Sequence, residues 1–246
     1  MNEALIECRG LTLAAAGRTL VQSLDWQARV GERWCVIGRN AAGKSTLLRA
    51  LAGIGDKRLM SDGEVRWLGR ATATWPAADA ARVRAFLPQQ SSDRFPITVQ
   101  RLLELNVVQA QQDADALLAA LDASALSHRN VLELSGGERQ RVALAQCVVQ
   151  GAPLLLLDEP VAFQDPAHQL QVAQWLATLA KHALVMSAHD VNWIARAATH
   201  VLALLPDGRC EQGPAAEMLD AARLQRVYGC AWRAVNGDGD RVWVAQ

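Results

Sequence analysis

The chain predicts an α/β fold: a largely parallel sheet, an antiparallel β portion towards its start, and an all-helical insertion in its middle. Three observations carry that expectation. The apolar runs at 154–157 and 183–187 lack an alternating polar face, as strands covered on both sides do. A glycine-rich loop at 38–43 lies between an apolar run and a stretch with helical spacing. Between residues 98 and 123, leucines recur at intervals of three and four. With 246 residues, 51% of them hydrophobic, the chain can bury a sizeable core.

Each element can be justified in order. ALIEC (4–8) reads as a strand. SLDWQARV (23–30) reads as another, from its alternating Leu24, Trp26, Ala28 and Val30. Gly31 and Glu32 mark a turn, and RWCVI (33–37) is a short apolar strand running into the glycine-rich loop. Residues 44–52 have helical spacing, and GEVRWLG (63–69) and VRAFLP (83–88) are further strands. TVQRLLELNVVQ (98–109) and DADALLAALDA (113–123) are helices, the second capped by Asp113. A third helix follows Gly137. Strands return at 154–157 and 183–187. VLALLPDGRCEQG (201–213) reads as a hairpin turning at Pro-Asp-Gly, and the stretch from 230 as a last hairpin.

Composition excludes several classes. The 25 basic and 25 acidic residues cancel, which argues against a nucleic-acid binder relying on bulk positive charge. The five cysteines stand singly, as reduced thiols of a cytosolic protein do. The first residues lack a secretory pattern, and no run approaches the ~20 apolar residues of a membrane span. NGDGD (236–240) lacks the later glutamate of a calcium loop and reads as a turn. The eight scattered tryptophans read as packing.

Chemistry concentrates in two glycine-containing stretches and an acidic pair. Gly38, Gly43, Lys44 and Ser45 match G-x-x-x-x-G-K-[ST], with a strand before and a helix after. Glycines let backbone N–H groups approach phosphate oxygens, helped by the helix dipole. Asn40, Ala41 and Thr46 complete this cradle. Lys44 adds a full charge near the β- and γ-phosphates, and the Ser45 hydroxyl is placed for magnesium. Asp158 ends a buried strand and is expected beside the metal; Glu159 is then free to accept a proton from water. LSGGERQ (134–140) opens a helix with Ser135, Gly136 and Gly137, a second tip suited to an anion.

Taken together, GRNAAGKST, FLPQQ, LSGGERQ, LLLLDEP, Asp165 and SAHD, in that order, resemble the nucleotide-binding subunits of ABC transporters across residues 38–190. The resemblance implies a P-loop NTPase (RecA-like) core with an antiparallel β subdomain and an all-helical signature subdomain. It implies one ABC ATPase domain over 1–246, with core and β subdomain at 1–89 and 151–246 and the helical part at 90–150. It implies ATP and Mg2+ as ligands and a head-to-tail pair with a second copy. Ser135, Gly136 and Gly137 would then meet the γ-phosphate held by the partner's P-loop. Gln89 matches the glutamine that touches magnesium and the attacking water, with Gln90 the neighbouring alternative. His189 matches the switch histidine, and Asp165 the aspartate of the loop crossing the dimer interface, although VAFQ before it departs from the usual small residues. Where relatives stack adenine on an aromatic ring this chain has Ala15, so a weaker preference for adenine over guanine than in relatives with the ring is expected.

The layout is most similar to the ATPases of cobalamin, iron-siderophore and heme importers. That implies integral-membrane permease subunits as partners, a periplasmic binding protein indirectly, no nucleic acid, and a place on the cytoplasmic face of the inner membrane. Residues 90–104 would border a groove for a permease helix, lined by Phe95, Pro96 and Ile97. The alternative is a soluble, non-transport ABC ATPase acting on nucleic acid or a protein complex, which neutral charge and a single cassette disfavour.

Overall fold

The first strands pair with each other before the chain enters the parallel sheet. The computed structural model describes residues 3–55, 59–90, 95–107, 113–237 and 240–246. β1 (Ala4–Ala15) and β2 (Arg18–Arg29) form an antiparallel hairpin. Its two turn residues, Ala16 and Gly17, both have positive φ, 49° and 75°. Such turns match the natural strand twist. β3 (Arg33–Ile37) then leads through the glycine-rich loop into α1 (Lys44–Leu51). β4 (Leu59–Trp67) and β5 (Arg70–Ala71) extend the hairpin into a four-stranded sheet of order β2-β1-β4-β5. α2 (Ala77–Val83) follows, and β6 (Arg84–Leu87) opens the parallel sheet's far edge.

The middle of the chain is helical: α3 (Val99–Asn106), α4 (Ala114–Ala120) and α5 (Gly136–Val149), with short 3-10 turns between the last two. Alternation then resumes with β7 (Leu154–Asp158), α6 (Pro166–Thr178), β8 (Ala183–Ser187), α7 (Val191–Ala197) and β9 (His200–Leu204). β10 (Cys210–Pro214), α8 (Ala215–Met218), α9 (Ala221–Tyr228) and the hairpin β11 (Trp232–Gly237) and β12 (Asp240–Ala245) complete the described chain. The main sheet has the order β10-β9-β3-β8-β7-β6, parallel except for β10.

Alternation along these strands divides the core into two layers. Trp34, Val36, Leu154, Leu156 and Val185 pack with Leu47, Leu48 and Leu51 of α1 and with the antiparallel sheet. Cys35, Ile37, Leu155, Leu157, Leu184 and Met186 pack on the opposite side with α5, α6 and α7. A strand buried on both faces needs apolar residues at every position, which is why the four leucines 154–157 run without a break.

Several sequence expectations shift in place. The strand expected to begin at Val83 begins at Arg84, because 77–83 is the alanine-rich helix α2. The helix expected over 98–109 is described as Val99–Asn106, and residues 108 and 109 lie outside the described residues. Asp113 caps α4 as expected, its Oδ1 accepting from the N–H groups of Asp115 and Ala116. Both expected hairpins form, though residues 238 and 239 of NGDGD fall outside the description. Six of the eight tryptophans are buried, as packing residues are. All five cysteines are free thiols.

Candidate active site

The C-terminal ends of β3, β7 and β8, and the segment after β6, converge on one edge of the main sheet, where ligands of open α/β sheets bind. From β3 the chain turns through residues 38–43. Ala41 and Gly43 adopt positive φ, 59° and 102°. At Gly43 a Cβ would also lie 2.9 Å from that of Leu20, so glycine is required twice over. Lys44 is 6% exposed, and its Nζ donates to the carbonyls of Gly38 at 2.9 Å and Arg39 at 3.2 Å. Burial draws the Lys44 ammonium below its ordinary pKa, opposed by the Glu159 and Asp158 carboxylates.

α1 differs from most helices of this chain. α3, α4, α5, α6, α7 and α9 each begin with a side chain that accepts a first-turn N–H. α1 has no capping side chain and no acid in its first turn. Its free N–H groups and dipole therefore suit an external anion.

The acidic pair is held from below by a residue that sequence reading did not single out. Ser187 is fully buried at the end of β8, directly opposite Asp158. Its hydroxyl donates to Asp158 Oδ1 at 2.6 Å and accepts from the Glu159 N–H at 2.9 Å. A polar residue closing the apolar run ALVMS was the available signal. Glu159 takes a left-handed backbone, φ 52°, and turns its carboxylate towards the P-loop cavity. Its Oε1 accepts from Gln89 Nε2 at 3.0 Å and lies 2.8 Å from His189 Nε2. Gln89, Glu159 and His189 line a cavity of about 590 Å3 together with Asn40, Ala41, Gly43, Lys44, Ser45 and Thr46. Ala15 and Leu20 form part of its wall, so no aromatic ring stands at position 15 of the cavity. Gln90 does not border it.

The remaining expected residues lie elsewhere. A second groove, about 340 Å3, is lined by Gln89, Gln90, Leu134, Gly136, Arg139, Gln140 and Phe163. Ser135 caps α5 in a reciprocal box: its hydroxyl accepts from the Glu138 N–H at 3.4 Å, and Glu138 Oε2 accepts from the Ser135 N–H at 2.8 Å. The hydroxyl expected to wait for an anion is thus already engaged within its own helix. Ser135, Gly136 and Gly137 do not border the P-loop cavity of their own chain. Asp165 caps α6, accepting from the His168 N–H at 3.0 Å, and is likewise outside that cavity. Phe95 is 72% exposed and Pro96 is exposed too, while Ile97 packs against the core.

Chemically, the cavity offers an anion cradle, a buried cation, a carboxylate beside an amide and an imidazole, and a second carboxylate below. The profile of the ABC transporter family matches residues 21–162. The chain belongs to the ABC transporter family. As an ABC protein it binds ATP and is an ATPase. It is 40% identical over 234 residues to the hemin import ATP-binding protein HmuV of Roseobacter denitrificans, covering 88% of each chain. It is 37% identical to the protein of the same name from Streptomyces coelicolor, covering 92% of this chain and 84% of that one. The ABC fold is shared with an inward-facing metal-chelate type ABC transporter, at a TM-score of 0.82 and 22% identity, covering 99% and 98% of the two chains. It is also shared with cbiO1 of Clostridium perfringens, at a TM-score of 0.74 and 20% identity, covering 91% and 94%.

Proposed function

We propose that this ABC ATPase powers an importer of heme or a related metal chelate, cobalamin included, through ATP-driven closure of two copies. The observation that carries this reading is the cluster of Gln89, Glu159 and His189 beside Lys44, with the signature tip outside that cavity. One chain then holds only part of a reaction centre. A second copy, head to tail, supplies Ser135, Gly136 and Gly137 to the γ-phosphate. Asp165 lies at the seam between copies, and residues 90–150 act as the signature subdomain between a core formed by 1–89 and 151–246. The resemblance to hemin import proteins favours heme among the chelates.

In this reading the P-loop N–H groups and Lys44 bind the phosphates of ATP. Ser45 and Gln89 line the cavity with oxygen atoms that suit Mg2+, and Asp158, buried below with Oδ1 held by Ser187, would offer Oδ2. Gln89 fits because its N–H group is spent on Glu159, leaving its carbonyl for a metal. Bound magnesium would neutralise charge on the β- and γ-phosphates. Glu159 accepts a proton from the attacking water, Gln89 orients both, and His189 steadies the γ-phosphate. Hydrolysis then removes the bridge between copies. The exposed Phe95 and Pro96 fit a contact with the permease, placing the subunit against the cytoplasmic face of the inner membrane; among the described residues no helix is long and apolar enough to cross it. A periplasmic binding protein acts indirectly, and no nucleic acid is involved.

The test begins with purification of the tagged chain from a detergent extract, with an integral-membrane permease expected to accompany it. Vesicles holding that complex should accumulate hemin when ATP is supplied on the subunit's side. Accumulation of cobalamin or a ferric siderophore instead would move the substrate, and absence of any permease would favour a soluble ATPase. Glu159→Gln should keep ATP affinity while turnover falls by about 10²- to 10⁴-fold. Near-normal turnover would remove Glu159 from its role as base.

A further inference from the structure

The peptide of Glu159 is held from two directions. From the sheet side, the Ser187 hydroxyl accepts its N–H. From the helical side, Gln140 Nε2 donates to its carbonyl at 3.0 Å. Gln140 sits on α5 one turn beyond Gly136 and Gly137, and is only 4% exposed. Among the described residues few polar side chains are buried so deeply, and this one reaches across to a different element.

The backbone it holds is strained. Glu159 has φ 52° and Phe163, four residues on, has φ 62°. A left-handed conformation is unfavourable for a residue with a side chain, and persists only where surroundings impose it. Losing the Gln140 amide would leave the Glu159 carbonyl with one fewer partner and release the loop towards ordinary φ. The carboxylate would then swing away from Gln89 and His189.

We propose that Gln140 is a positioning residue for ATP hydrolysis. Its amide fixes the left-handed peptide of Glu159 and so aims the carboxylate, and it ties the tip of α5 to the hydrolytic loop of the same chain. The loop and the tip touch again at Phe163, whose carbonyl lies 2.9 Å from where a Cβ of Gly137 would be. Movement of α5 at its glycine tip is therefore felt at Glu159. This rests on the reading of Glu159 as the base.

The test uses the full chain with Gln140→Met, which keeps length and volume but removes the donor. The kcat for ATP should fall about tenfold, the effect of one hydrogen bond lost at the reacting group. KM for ATP should stay close to wild type, because Gln140 does not border the P-loop cavity. Gln140→His, which keeps a ring N–H at similar reach, should recover rate relative to Gln140→Met. Unchanged kcat in Gln140→Met, or a fall in kcat matched by a rise in KM or equally shared by both variants, overturns the proposal. Glu159→Gln separates the two readings. If Glu159→Gln stalls while Gln140→Met turns over normally, only the role of Gln140 falls; if Glu159→Gln turns over normally, the base assignment falls first.

Discussion

The two glycine-bearing helix tips of this chain look alike in sequence and differ in structure. The P-loop delivers its helix bare: α1 has no capping side chain, no acid in its first turn, and a buried lysine beside it. The signature tip is already satisfied. Ser135 and Glu138 cap each other, and Glu138 brings a negative charge, paired with Arg129 at 2.8 Å, to the place where an anion would approach. On the proposed reading, the first tip binds phosphate unaided. The second gains from an anion only when one is brought to it, already held by another set of contacts. This asymmetry is what the composite site proposed above would require, since a signature able to capture free nucleotide would compete with the P-loop for it.

Four experiments can break or sharpen that contrast, the largest expected effect first. Lys44→Ala should weaken ATP binding to the isolated chain by about 10- to 100-fold, the loss of a charge-assisted contact. Calorimetry checks this, and wild-type affinity would deny the P-loop its prebuilt character. Gly137→Ala should do the reverse: ATP affinity of the single chain within twofold of wild type, turnover lower by about tenfold. The new Cβ would stand 2.9 Å from the Phe163 carbonyl, so the loop must shift. Overpacking of about 1–3 kcal/mol exceeds the gain of up to ~1 kcal/mol from helix propensity, so the variant should also melt lower.

The third concerns the wall of the P-loop cavity. With Ala15 and Leu20 there in place of a ring, ATP and GTP should bind within about tenfold of each other. Parallel titrations decide it, and strong ATP selectivity would mean another group reads the base. The smallest effect is that of Glu138→Gln. Hydrogen bonds from Ser135, then the nearby Arg129, hold the Glu138 carboxyl below its ordinary pKa in the folded chain. Its stabilisation is therefore present above the ordinary glutamate value of about 4.3 and is lost as pH falls through the lower folded value. Wild type should melt roughly 1–3 °C above Glu138→Gln at pH 7. The gap should close as the solution is acidified below about pH 4, and a gap constant with pH would deny the capping box its charge.

Legibility in the sequence follows how local each feature is. The P-loop, the unbroken leucines before Asp158 and the Asp113 cap are set by neighbours in the chain, and all are where spacing put them. α6 and α7 leave only a faint trace in the sequence. Their buried residues do recur at spacings of three and four, as Val172, Trp175 and Leu176 or Val191, Ile194 and Ala197 show, but each pattern lasts only one or two turns. Beyond the expected strand at 4–8, β1 runs on through residues 9–15, where Gly10 and the closing alanines blur the strand pattern; pairing with β2 and β4 decides it. At the site, motif residues could be named one by one. The bonds joining them, from Ser187 to Asp158 and from Gln140 to Glu159, link positions 29 and 19 apart and arise only once β7, β8 and α5 are packed.

The close approach of the Phe163 carbonyl to Gly137 also has a consequence for descent. A side chain at position 137 is free of cost only where residues 160–164 are rebuilt to make room for it, and a rebuilt loop in turn moves Glu159. These positions should therefore change together across relatives or stay still together, and a hybrid that takes its 130s from one relative and its 160s from another should fold yet hydrolyse poorly.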